Sequence, residues 1–212
     1  MASCLNLLSL LISSLGFSLF YGLSVSPARL ARTKGEKAYR LAARYRLICS
    51  VCMGIAFINF ILYRILPVSL DPLSPTFPWP YPISVAVAAA LALPAGMLLV
   101  SALKAAGKVT LVPKKEHDLY RGIYEKIRHP QAIGELAFWY VTVLLLDSPF
   151  LILVAVLYTP IWIVWCFLEE WDLSIRYGEE YLRYQARTGM FIPKRKHGGS
   201  PSNTGWDRKH RT

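Results

Sequence analysis

The sequence predicts an all-α protein, an integral membrane bundle of about five transmembrane helices, and three observations carry that expectation. Of 212 residues, 54% are hydrophobic and 17% are charged, where a soluble domain carries about a quarter charged residues. Five apolar stretches punctuate the chain. All 24 Lys and Arg except Arg64 fall into three segments that share one side if every stretch crosses the membrane. The composition argues against a soluble globular enzyme and more strongly against disorder.

The first apolar stretch runs from about Leu5 to Val25 without a charge. It has no basic leader and its positive charge follows it, which predicts a retained helix with an outside N-terminus rather than a cleaved signal. The second runs from about Leu47 to Leu66 and the third from about Ile83 to Leu103, with Pro94 expected to bend it. The fourth, Ala132 to Leu146, is short and contains Glu135, and the fifth covers Phe150 to Leu168. A run of roughly 20 apolar residues spans a hydrocarbon layer of ~30 Å. Within lipid the backbone must satisfy its own hydrogen bonds, so these runs are predicted to be helices. The basic segments follow the first, third and fifth stretches, and the positive-inside rule assigns them and the C-terminus to the cytoplasm.

That placement also accounts for the net charge of +11. Basic segments beside a membrane are drawn to anionic lipid headgroups, and no nucleic-acid-reading module accompanies them, so nucleic acid is not an expected partner. Residues 197–212, rich in Gly, Ser and basic side chains, read as a disordered tail. The four cysteines form no disulfide framework. Cys49 and Cys52 make a C-x-x-C inside the second stretch, without a second pair or a His nearby, and read as small buried residues rather than a metal or redox pair. No Walker loop, H-E-x-x-H, G-x-S-x-G or G-x-G-x-x-G occurs.

The turn Asp147-Ser148-Pro149 makes the last two helices an antiparallel hairpin. His129 lies 19 residues before Ser148 and Glu169 lies 21 after it, so at equal rise per residue they reach the same depth. Arg128-His129-Pro130 should therefore stand beside Glu169-Glu170, with Gln131 and Glu135 just inside that level. Charges flanking a membrane helix commonly snorkel to the interface, and Lys126 and Arg176 read that way. A carboxylate one turn into a helix, like Glu135, tends instead to face a partner or a cavity. One His, one Arg and three carboxylates at one depth point to a polar pocket.

The residues His117-Asp118-Leu119-Tyr120-Arg121-Gly122-Ile123-Tyr124, then Ile127-Arg128-His129-Pro130 and Gly134, resemble the membrane methyltransferases related to isoprenylcysteine carboxyl methyltransferase and phospholipid methyltransferase. So do Glu169-Glu170-Trp171-Asp172-Leu173, Tyr177-Gly178-Glu179-Glu180-Tyr181 and Phe191-Ile192-Pro193. The likeness covers the C-terminal half, and suggests a division into N-terminal helices over 1–116, a cofactor-binding hairpin over 117–193 and a tail over 194–212. It implies S-adenosylmethionine as cofactor, bound at the cytoplasmic ends of the last two helices. Carried over residue by residue, the cofactor site falls on His117, Leu119, Gly122, Tyr124, His129, Pro130, Gly134, Glu169 and Glu170. Candidates for a part in the chemistry are Glu135, Glu170 and Arg128.

The resemblance further implies a lipophilic acceptor (a lipid amine or hydroxyl, or an isoprenylcysteine carboxylate) entering from the bilayer of a cell membrane or endoplasmic reticulum. Carboxyl-methylating relatives place an arginine shortly before the paired Glu, where this chain has Trp165-Cys166-Phe167-Leu168. An amine or neutral acceptor is thus expected at least as readily. Two other readings share the C-terminal hairpin: an NADPH-dependent membrane reductase of the sterol reductase type, and a scaffold without catalysis.

Overall fold

The computed structural model describes residues 1–68, 74–107 and 121–194, and their regular structure is helical, with one isolated bridge between Ile127 and Gly189. In chain order the helices are α1 (Ala2–Ser24), α2 (Pro27–Lys34), α3 (Lys37–Tyr63), α4 (Tyr81–Ala106), a 3-10 turn (Gly122–Glu125), α5 (Pro130–Leu145), α6 (Pro149–Tyr177) and α7 (Glu179–Arg187). Four of them, α1, α3, α4 and α6, are long and apolar enough to cross a membrane. The fourth apolar stretch of the sequence forms the 16-residue α5, about 24 Å long at 1.5 Å per residue.

The surface chemistry is that of a multi-pass membrane protein. Leu5, Leu8, Leu11, Ile12, Leu15 and Leu19 of α1 face outward, while Asn6, Ser13 and Ser14 of the same helix are buried. Apolar side chains outside and small or polar ones at the helix contacts is the arrangement lipid favours. Across the α1–α3 contact the Asn6 amide donates to the Asn59 carbonyl at 3.1 Å, and the Asn59 amide donates to Ser9 Oγ at 3.0 Å.

Proline opens α2, α5 and α6 at their first positions, where its missing N–H leaves no hydrogen bond unmade. α4 continues through Pro94 and α6 through Pro160. The α5–α6 turn is tight because Asp147 takes a left-handed φ of 51° and Ser148 Oγ accepts from the Leu151 N–H at 3.3 Å, capping α6. The Tyr81 hydroxyl donates to the Leu145 carbonyl at 3.1 Å, tying the start of α4 to the same end of the bundle.

At the opposite end Asp172 of α6 accepts from the backbone N–H groups of Ala28 and Arg29, at 3.1 and 2.8 Å, and so caps α2. Arg29 lies over the Trp171 ring. These contacts hold the α1–α2 corner against the last turns of α6. Glu169 is twenty residues beyond Pro149, or about 30 Å along the helix, which is the full depth of a hydrocarbon core.

Candidate functional site

The site forms where α5 begins and the apolar part of α6 ends. His129 precedes Pro130, the first residue of α5, as its N-cap, with φ −123° and ψ 55°. Its Nε2 lies 3.0 Å from Glu170 Oε1 and its Nδ1 lies 3.6 Å from Glu169 Oε2. The hairpin thus brings together the residues that counting along it had paired.

The two adjacent carboxylates have different surroundings. Glu170 is buried and both its oxygens are occupied. Arg128 Nε donates to Oε1 at 2.6 Å and Gln185 Nε2 of α7 donates to Oε2 at 2.7 Å. Arg128 also donates through Nη1 to the carbonyls of Gln185, at 3.2 Å, and Thr188. Below this network the backbone N–H groups of Arg128 and His129 donate to the carbonyls of Gly189 and Met190, at 2.9 and 3.1 Å. Glu169 keeps 41% of its side-chain surface open, against 6% for Glu170. Of the pair, Glu169 is the one that lines the polar cavity.

Burial alone would lower the pKa of His129, but hydrogen bonding with Cys166, Glu169 and Glu170 and the Glu169 charge outweigh it and hold the imidazole well above its ordinary 6.5. These partners favour the protonated ring over the neutral one. Tyr124, on the 3-10 turn, is pushed the other way from reactivity. Burial, with the charges of Glu169 and Glu135, raises its phenol far above the usual range and keeps it protonated.

Two cavities adjoin here. A polar one of about 60 Å³ is lined by Tyr21, Arg46, Tyr124, His129, Trp165 and Glu169, among others. An apolar one of about 340 Å³ lies between α4, α5 and α6, lined by Leu91, Leu136, Tyr140, Thr159, Ile163 and Phe191, among others. Ala132, Trp162 and Cys166 belong to the walls of both.

The expected site residues fall into three groups. Tyr124, Arg128, His129 and Glu169 line the polar cavity, with Glu170 behind them. Glu135 accepts from Gln131 Nε2 at 2.8 Å and lies within charge-interaction range of Glu169. Pro130 is buried at the α5 start, and Gly122 opens the 3-10 turn with a φ of 61°. Gly134 meets α4 instead: a Cβ there would come within 2.7 Å of Leu99 Cβ and 3.2 Å of the Ala95 carbonyl. His117 and Leu119 lie outside the described residues.

Sequence reasoning did not find Tyr21 and Arg46, which α1 and α3 supply, nor Gln185 and the 188–190 backbone that seat Arg128. Arg46 had been counted with the basic segments. Its position immediately before Leu47, the first residue of an apolar run, was the signal that it sits at the hydrocarbon edge rather than in a solvated loop. Among the described residues no group of His, Cys, Asp and Glu is arranged to hold a metal ion, and Cys49 and Cys52 are free thiols.

Residues 83–180 match the family described as phospholipid methyltransferase. A methanethiol S-methyltransferase from Pseudomonas sp. is 35% identical over 85 residues, which are 40% of this chain and 32% of that protein. The match thus spans about a third of the length of that curated relative. No solved structure matches. The resemblance to membrane methyltransferases accordingly stands on residues 83–180, which include Arg128, His129, Glu169 and Glu170, and leave out α1 to α3 with Tyr21 and Arg46.

Proposed function

We propose that this protein is an integral membrane methyltransferase that transfers the methyl group of S-adenosylmethionine to a lipophilic acceptor reaching it from the bilayer. The observation that carries this reading is the shared wall of Ala132, Trp162 and Cys166 between a charged cavity and an apolar one. A methyl transfer from a charged donor to an apolar acceptor needs two compartments of that kind in contact.

The donor set suits the cofactor's chemistry. S-adenosylmethionine carries a methyl group on a positive sulfonium, beside an ammonium and a carboxylate. The open Glu169 and the nearby Glu135 answer the positive groups, and the faces of Tyr21, Tyr124 and Trp165 attract cations. At about 60 Å³ the polar cavity is smaller than the roughly 300–1,000 Å³ of a pocket for a whole small molecule, so it takes the charged amino-acid end. Glu170, behind it, and Arg128, on its wall, hold His129 in place.

The chain's contribution is alignment of the two reactants and exclusion of water, which in well-oriented pairs replaces about 7–11 kcal/mol of barrier. The acceptor cavity offers apolar walls with the hydroxyls of Tyr140 and Thr159, themselves 2.8 Å apart. It suits an uncharged lipophile. A thiol, the acceptor class in the Pseudomonas relative's name, loses its proton readily, whereas an amine or hydroxyl acceptor needs a base. Glu135, one turn into α5 and held by the Gln131 amide, is the candidate for that role.

The test uses detergent-purified protein. S-adenosylmethionine and S-adenosylhomocysteine should each raise its melting temperature, and methyl-labelled cofactor should pass label to a lipid or small lipophilic thiol in a total extract. Glu169→Gln should abolish both. Absence of any shift with either compound together with no label transfer refutes the reading, and a shift with NADPH alone replaces it with a reductase.

A further inference from the structure

We propose that the Tyr140–Thr159 pair is a specificity site in the apolar cavity, where the Tyr140 oxygen accepts a hydrogen bond from a hydroxyl or N–H group that the acceptor carries about 10–12 Å from its methylated atom. The inference rests on the acceptor reading above and adds to it a second functional group on the acceptor.

The walls of the apolar cavity are almost wholly apolar, and the hydroxyls of Tyr140 and Thr159 interrupt them. These stand 2.8 Å apart, one on α5 and one on α6, and Thr159 Oγ1 donates to the Ala155 carbonyl at 3.0 Å. Each hydroxyl has one proton. With the Thr159 proton on Ala155, the Tyr140 proton goes to Thr159, and two protons make two hydrogen bonds. The reverse order, Thr159 donating to Tyr140, gives up the Ala155 bond and leaves the Tyr140 proton without a partner among the described residues. An unpaired polar group in apolar surroundings is costly, so the two-bond arrangement prevails. It leaves the Tyr140 oxygen with lone pairs and no proton to offer. The pair is therefore polarised. It takes a hydrogen-bond donor, and it disfavours a carbonyl, which has to break the Tyr140–Thr159 bond to be satisfied.

The depth of the pair supplies a ruler. Thr159 and Cys166 both line the cavity, seven residues apart on α6, which puts them on one face and about 10 Å apart along the axis. Ala132 and Tyr140 are eight residues apart on α5, about 12 Å by the same rise. Cys166 and Ala132 also line the polar cavity, so the methylated atom belongs at their end and the donor group at the other. An extended chain advances about 1.2 Å per bond, which separates the two groups by roughly eight to ten bonds.

The full chain, reconstituted in lipid nanodiscs, is titrated with three thiols of matched length. A mercaptooctanol with its hydroxyl at the far end offers a donor, the matching thiol ending in a methyl ketone offers only an acceptor, and nonanethiol offers neither. Each probe is compared between wild type and variant, so its partition into lipid cancels. Tyr140→Phe should weaken the mercaptooctanol about 3- to 10-fold, the loss of one hydrogen bond, and change nonanethiol less than about twofold. Thr159→Val frees the Tyr140 proton, so the ketone should bind about 3- to 10-fold more tightly than it does to wild type, with the mercaptooctanol retained. A pair that only fastens α5 to α6 shifts all three probes alike, or none, when either hydroxyl is removed, and each of those results overturns the proposal. Thr159→Val decides alone if Tyr140→Phe does not fold. A mercaptododecanol, whose hydroxyl lies about 5 Å farther along the chain, should not distinguish Tyr140→Phe from wild type, and a loss equal to that of the mercaptooctanol overturns the spacing. Melting with S-adenosylhomocysteine separates the two readings. A shift with it, in a protein whose probes ignore both substitutions, overturns the pair alone. The expected probe pattern in a protein that ignores S-adenosylhomocysteine overturns the methyltransferase reading and the pair's place in acceptor choice.

Discussion

Glu169 and Glu170 are neighbours in sequence and opposites in environment, and their substitution should separate binding from stability. Glu170 compensates Arg128 and His129 inside the protein, and removing one partner of a buried ion pair costs about 3–5 kcal/mol. Glu170→Ala should therefore lower the melting temperature sharply in the absence of ligand. Glu169→Gln, at the more open position, should lower the unliganded melting temperature much less than Glu170→Ala and remove the shift caused by S-adenosylhomocysteine. His129 adds a pH dependence. Its folded pKa lies above the roughly 6.5 of an unfolded imidazole. The stabilisation by its charge is thus fully present below that value and is lost as pH rises through the folded pKa. Wild-type melting temperature should fall on moving from about pH 6 into the alkaline range, and His129→Gln should flatten that decline. A wild-type profile as flat as the variant's would contradict a cationic His129.

Among the elements, α5 and α6 show what a sequence makes legible. A short turn fixes both strands of the hairpin to one origin, and constant rise per residue converts sequence distance into depth, so the His129–Glu169 meeting could be counted. The contacts that seat it could not. Asp172 reaches α2 across 143 and 144 positions, and Arg128 reaches the α7 end across 57 and 60. No local periodicity records such pairings. Arg46 and Tyr21 were obscured for a different reason, since a basic or aromatic residue at a membrane edge has an ordinary explanation. Gly134 illustrates the reverse: a motif residue whose place in the structure is the α4–α5 crossing. Its ideal Cβ would meet the Leu99 Cβ at 2.7 Å and Cα at 3.1 Å, which the helices can relieve only by moving apart. Overpacking of this kind costs about 1–3 kcal/mol. Gly134→Ala should lower stability in detergent by that amount, and should narrow or widen the apolar cavity enough to change acceptor KM more than donor affinity.

For the whole molecule the decisive quantity is which end faces which compartment. Among the described residues Arg64 stands at the α5–α6 turn end, where Tyr63 stacks on Phe150. Arg29, Arg46, Lys104, Arg128 and Arg176 stand at the end that holds the site. Translocating a short basic segment is disfavoured, so the positive-inside rule predicts that the end rich in Lys and Arg lies on the cytoplasmic side. In that orientation its charges would also meet anionic headgroups, at about 1 kcal/mol per residue near the surface. With that orientation, the cofactor proposed above would reach the polar cavity from the cytoplasmic face and the proposed acceptor would reach the apolar cavity between α4, α5 and α6 from lipid. The arrangement is tested by placing single cysteines in a background lacking the four native ones. Arg64→Cys should react with an impermeant maleimide on intact cells or right-side-out vesicles, and Glu179→Cys only after permeabilisation. Reaction of both from the same side would mean an even number of crossings, with α5 or another helix failing to span, and would separate the ends of the hairpin on which the site depends.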